Sequence, residues 1–258
     1  MPALDNLERI YEQKNLPTDL VEILHAKAKA LLPIDEEKSA EVRLRMGGML
    51  ESVLGQPERA IDTYREVLQI QPGNLLAIKG LERVYQLTEK WTELLVVLEM
   101  HLDVSKTERE RADVLMQIAE LQESHFFKAD LAAARVEQVV EIDPTNEVAY
   151  EMLTRCYHRL RQWLDLIGAL ERHVSATDDR SKRVQLFTQI AETYAEQVED
   201  QEKALDAYLS IVDIEESHVP ALEAVAKLYE RMDDPANAIE FMTRVAELTV
   251  DGTQRGEA

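Results

Sequence analysis

Cysteine, glycine, proline, aromatic residues and basic charge are all scarce in this chain of 258 residues. Its one cysteine, Cys156, excludes an internal disulfide framework and a cysteine-based zinc site. Aromatics make up 5%, and Gly and Pro number 8 each, a poor supply for a turn-rich β fold and a sign of helix. Lys and Arg total 29 against 50 Asp and Glu, giving a formal charge of −21. Such a field repels phosphate backbones, so no nucleic-acid partner is expected. No apolar run approaches the length of a membrane span, and the charged opening stretch lacks the apolar core of a signal peptide. A cytoplasmic location is the resulting expectation. The glycines never cluster into a phosphate-cradling loop, and no Ser/His/acid or Cys/His constellation stands out. No cofactor, metal site or enzymatic activity is therefore expected.

What the chain does have is a repeat with a step of 72 residues. Ile70-Gln71-Pro72-Gly73-Asn74 returns as Ile142-Asp143-Pro144-Thr145-Asn146, then as Ile214-Glu215-Glu216-Ser217-His218. The same step links Tyr85, Tyr157 and Tyr229, and also Ala60, Ala132 and Ala204. Fixed-period self-similarity is the signature of a solenoid. Asn6–Glu12 matches Gly80–Gln86 at an offset of 74, so the N-terminal segment joins the array as a half unit.

Within each repeat, apolar residues recur at helical spacing, as in Val136, Val139 and Val140. The pattern predicts helices over 3–13, 18–31, 38–53, 57–70, 75–87, 91–104, 108–124, 128–142, 147–160, 162–175, 180–197, 201–214, 219–232 and 235–248. Pro17, Pro57 and Pro235 fit first turns, and Thr107 with Glu110 fits a capping box. Short loops make neighbouring helices antiparallel, so the expected fold is all-α, a right-handed α-solenoid of about seven hairpins. It is read as one array over 1–250: a half unit 3–33, units 38–105, 107–177 and 179–249, then a flexible polar tail at 251–258.

The first hairpin of each unit resembles a tetratricopeptide repeat. Gly48, Ala60, Tyr64 and Pro72 fill the family's small, small, aromatic and exit-proline positions in order. The second hairpins depart from the pattern, placing Leu94 and Leu166 where a small residue belongs; Ala238 restores it. The resemblance implies a superhelix whose first helices line a concave, partner-binding groove. Val42, Leu76, Val114, Val148 and Leu186 share one first-helix position and read as packing between repeats. The remaining groove positions carry Arg9, Arg45, Lys79, Arg83, Arg155, Arg159, Lys227 and Arg231, with His158 beside them. Asp5, Glu12, Glu151, Glu196, Glu223 and Glu230 stand against them, so the groove is relatively basic within an acidic chain. Pairs within one helix, Glu151 with Arg155 and Glu223 with Lys227, offer a purely structural use for some of these charges.

The implied function is a non-catalytic scaffold or adaptor that binds a protein or acidic peptide through Arg and Lys. Long bacterial arrays of this kind organise signalling, polarity and motility complexes. A chaperone-type assembly module is the alternative, although no Asn occupies the positions where its carboxylate clamp would place one. An RNA-reading repeat needs a regular code along a basic groove, and none is present. His101 and His173 are one repeat position, as are Trp91 and Trp163; both sets read as packing residues, and Cys156 as a buried small hydrophobe. The last helix keeps apolar Ile239, Met242 and Val245, so uncapped ends suggest self-association or a longer array.

Overall fold

The computed structural model describes residues 2–256, with side chains through 249. Among these residues the chain is all-α. The helices are α1 (Pro2–Gln13), α2 (Pro17–Leu31), α3 (Glu36–Ser52), α4 (Pro57–Ile70), α5 (Leu75–Leu87), α6 (Trp91–Val104) and α7 (Glu108–Ser124). They continue as α8 (Ala129–Ile142), α9 (Glu147–Leu160), α10 (Trp163–Ala176), α11 (Arg180–Thr193), α12 (Gln201–Ile214), α13 (Val219–Arg231) and α14 (Pro235–Gly256). The described residues form two compact units that divide between Phe126 and Phe127, each an α-solenoid in which successive helices pack on one another. Most helices lie within two residues of the sequence expectation. The largest departure is α14, which runs past the expected end at 248. The side chains of 250–258, and the flexibility expected for that tail, lie outside the described residues. A five-residue π turn, Tyr194–Val198, extends α11.

The helix starts follow from local chemistry. Asp35, Asn74, Asn146 and Asp200 each accept a backbone N–H from three residues on. Thr107 accepts from the Glu110 N–H at 3.2 Å. The Glu110 carboxylate reaches back to the Lys106 N–H, one residue earlier than the box predicts. In the third repeat the exit proline is gone, yet the turn is kept: the His218 N–H donates to the Glu215 carbonyl at 3.0 Å. There His218 Nδ1 takes over the cap that Asn74 and Asn146 supply earlier.

Each turn within a hairpin contains one left-handed residue. Within the two units these are Gly55 and Glu199 in one hairpin type, and Asn15, Glu89, Arg161 and Asp233 in the other. The glycine tolerates that conformation freely, whereas an ordinary residue there costs about 1–2 kcal/mol. The tight antiparallel turn is held by the packing of the helices on either side.

The core is a line of aliphatic side chains: Leu24, Leu50, Ile78, Leu81, Leu115 and Ile118 in the first unit, Leu170, Ile190, Ile211, Leu222 and Val225 in the second. Each such burial stabilises by about 1.5–3 kcal/mol. A close crossing in the first unit is built around Tyr64. A methyl group on Gly47 would sit 2.6 Å from its Cε1, and one on Gly80 2.5 Å from its Cζ. The small residue that the crossing needs is therefore Gly47; Gly48, given that role from sequence, faces open space. The shared apolar position also divides. Val114 and Leu186 are buried, but Leu76 is 68% and Val148 63% exposed, so in α5 and α9 it faces outward and does not pack between repeats.

Candidate functional site

The first helices α1, α3, α5 and α7 of unit 1, and α9, α11 and α13 of unit 2, carry the residues expected to line a groove. In unit 1 three of the basic ones are tied to carboxylates on the preceding or following first helix. Arg45 of α3 pairs with Glu8 and Glu12 of α1. Arg83 of α5 makes two hydrogen bonds to Glu51 of α3, at 2.7 and 2.9 Å. Lys79 lies 3.8 Å from Glu110 of α7. Sequence reasoning anticipated pairs within a helix, whereas these bridge successive hairpins and fix their spacing. In unit 2 Glu151 likewise faces Lys182 of α11 at 3.7 Å.

Glu51 is the hub of the unit 1 set, because the Tyr64 hydroxyl also donates to it at 2.7 Å. Burial pushes the Glu51 carboxyl up, but the Arg83 guanidinium and Tyr64 hydroxyl outweigh this and hold it below the usual range. Unit 2 builds the same Glu–Tyr–Arg trio from different positions. Glu137 accepts from the Tyr157 hydroxyl at 2.6 Å and from the two terminal Arg172 nitrogens, each at 2.7 Å. The repeat-equivalent of Glu137 is Arg65, which donates to the Tyr85 hydroxyl at 2.9 Å. One tyrosine position thus accepts from a cation in one repeat and donates to an anion in the next.

Of the other expected site residues, Arg9 lies exposed on α1, and Arg155, His158 and Arg159 lie exposed on α9. Lys227 and Arg231 lie exposed on α13. His158 meets Trp163 edge to face at 5.4 Å. Cys156 is fully buried at the position of Val84 and Leu228, as its alignment implied. Among the described residues no group of three or more His, Cys, Asp or Glu is arranged to hold a metal, and no helix is long and apolar enough to cross a membrane.

Two clefts open between first helices at repeat-equivalent places. The unit 1 cleft, about 370 Å³, lies between α5 and α7; its walls include Glu82, Arg83, Trp91, Gln117, Glu120 and His125. Trp91 stacks on His125 with ring centroids 3.8 Å apart. His125 carried no signal in the sequence, since its repeat-equivalent is Gln197. The unit 2 cleft, about 270 Å³, lies between α9 and α11 and includes Arg155, His173, Lys182, Gln185 and Gln189. A third cleft, about 600 Å³ and largely apolar, lies between α13 and α14 against Lys227, Ile239 and Met242. Ile239 is 67% exposed, while its equivalent Ile167 in α10 is 2% exposed and belongs to the core.

Residues 221–256, spanning most of α13 and α14, match the tetratricopeptide repeat family. The chain carries a tetratricopeptide repeat. The match falls on the hairpin in which Ala238 restores the small residue, although the α3–α4 hairpin displays the fuller set of positions. No curated protein matches the chain. Among solved structures it is similar to YrrB, described as a tetratricopeptide protein with an unusual peptide-binding site, at 21% identity and a TM-score of 0.45 over 76% of this chain and 95% of that one. A tetratricopeptide repeat protein from Parabacteroides merdae aligns at 12% identity and 0.46 over 96% and 92%. MamA from Desulfovibrio magneticus aligns at 16% and 0.38 over 84% and 97%.

Proposed function

We propose that this chain is a non-catalytic interaction scaffold whose first helices receive a segment of a partner protein, with acidic side chains on that segment. The observation that supports the reading is the pair of clefts at repeat-equivalent positions, α5–α7 and α9–α11, each walled by polar side chains over an apolar floor. Ion pairs between hairpins hold those walls in place, so a bound segment meets a preformed surface and loses less affinity to ordering. The stacked Trp91–His125 rings supply the rigid aromatic contact that interfaces favour.

The test is in-cell crosslinking of the full chain, followed by recovery of its partner with variants. Trp91→Ala and Gln189→Glu are expected to lose the partner, and Lys203→Glu on α12 to keep it. Equal recovery by all three contradicts the reading. Self-association is a second reading, favoured by the exposed apolar cleft of α13 and α14. Sedimentation at increasing concentration decides it: a species that stays monomeric removes it.

A further inference from the structure

The two first-helix clefts are the same site with its charges exchanged. In unit 1 the buried His101 has Glu82 Oε1 2.7 Å from its Nδ1 and Glu110 Oε1 3.5 Å from its Nε2. Seventy-two residues on, those three positions hold His173, Thr154 and Lys182. The neighbouring ion pair is inverted in the same way, Lys79 facing Glu110 and then Glu151 facing Lys182. The carboxylates beside the first histidine are therefore missing beside the second.

His173 is 4% exposed and stacks on Tyr150 with centroids 4.5 Å apart. Its Nε2 is buried with no hydrogen-bond partner, as is that of His101, but only His173 is among the residues that line its cleft. Buried polar atoms are nearly always satisfied, so an orphan on a cleft wall points to something that is bound there. The polar groups lining the cleft with it are Arg155, Lys182, Gln185 and Gln189, which carry N–H donors, and Thr154, whose hydroxyl donates to the Tyr150 carbonyl at 2.9 Å; Glu151 is the one carboxylate among them.

We propose that the α9–α11 cleft takes a carboxylate, the Asp or Glu side chain of a bound protein segment, received by His173 Nε2–H and the Lys182 ammonium. The proposal rests on the reading that first helices bind a partner segment, and it assigns the acidic contact to unit 2. The equivalent cleft of unit 1, with Glu82 and Glu120 on its walls, repels the same group. Burial, then Lys182, holds the His173 ring below its ordinary value, while Glu147 and Glu151 act the other way. A carboxylate against Nε2 joins those two glutamates, so binding tightens as pH falls from 7.5 to 6.

The test uses the full chain at physiological ionic strength and follows the histidine ring signals by NMR. The probes are a capped pentaglutamate peptide, its pentaglutamine counterpart and inorganic phosphate. The expected result is that pentaglutamate moves the His173 signals, raises the pH at which that ring titrates and leaves His101 unmoved. Lys182→Gln is expected to weaken binding about tenfold, the loss of one charge-assisted contact. Lys182→Arg retains binding and shows that the site still folds. Pentaglutamine or phosphate shifting His173 as strongly as pentaglutamate overturns the assignment, as does no shift with any probe. Binding confined to the Trp91–His125 cleft also overturns it, yet leaves the scaffold reading standing. Failure of the scaffold reading shows instead in the partner-recovery experiment.

Discussion

The Tyr64 ring lies against Gly47 so closely that a methyl group there would sit 2.6 Å from Tyr64 Cε1, whereas the adjacent Gly48 has nothing within 4 Å. Two neighbouring glycines on one helix are thus predicted to respond in opposite directions. Gly47→Ala forces Tyr64 or its helix to shift and costs about 1–3 kcal/mol. Gly48→Ala meets open space in a helix interior and stabilises by about 0.5–1 kcal/mol. Chemical denaturation of the two variants checks both signs.

The Glu51 carboxylate, held by Arg83 and Tyr64, makes stability depend on acid. Its folded-state value is depressed, so its contribution is present above the unfolded carboxylate range of about 4.3 and fades as pH falls through the folded value. Glu51→Gln is expected to lower stability at pH 7 by about 1–2 kcal/mol and to remove that part of the acid dependence. Unfolding midpoints from pH 7 to 3 measure it.

The inverted ion pair predicts that charge can be exchanged as a unit. Lys182→Glu alone sets two glutamates face to face and lowers the unfolding midpoint. Adding Glu151→Lys restores it, at a coupling of about 0.5 kcal/mol for a pair this exposed. The double exchange also places a carboxylate near His173. Because the folded His173 value is depressed, its contribution in the native chain is present above about pH 6.5 and falls away as pH drops. Burial, the largest cause of the depression, remains in the double variant, and the exchange of Lys182 outweighs that of Glu151, so the loss is expected to shrink. A midpoint series from pH 8 to 5 distinguishes the two proteins.

The apolar cleft of α13 and α14 predicts binding of a hydrophobic dye at one end of unit 2. Ile239→Lys together with Met242→Lys should reduce the dye signal without loss of helicity by circular dichroism. Unchanged dye binding would locate the apolar surface elsewhere.

Helices, caps and hairpin pairing were legible in the sequence because each rests on local chemistry. Proline at a first turn, Asn or Asp at an N-cap and a helical apolar stripe leave marks within a few residues. The choice between Gly47 and Gly48 was not legible, since it depends on the angle at which the Tyr64 ring crosses from another helix. The outward turn of Leu76 and Val148 depends in the same way on how α5 and α9 rotate against their neighbours. The expected basic residues were found on the expected helices, yet Arg45, Lys79 and Arg83 are held by carboxylates from adjacent hairpins. Residue spacing within one helix carries no sign of such pairs. By the 72-residue step His101 and His173 are one packing position. Both are buried, but the residues that set their charge environments arrive from helices far along the chain.

Hydrogen–deuterium exchange of the full chain, with and without its recovered partner, decides whether the first helices receive that partner. Slowed exchange is expected in α5, α7, α9 and α11, the helices that wall the two clefts, with little change in α4 and α12. Protection confined to the second helices, or spread evenly over both helices of every hairpin, would contradict binding by the first helices.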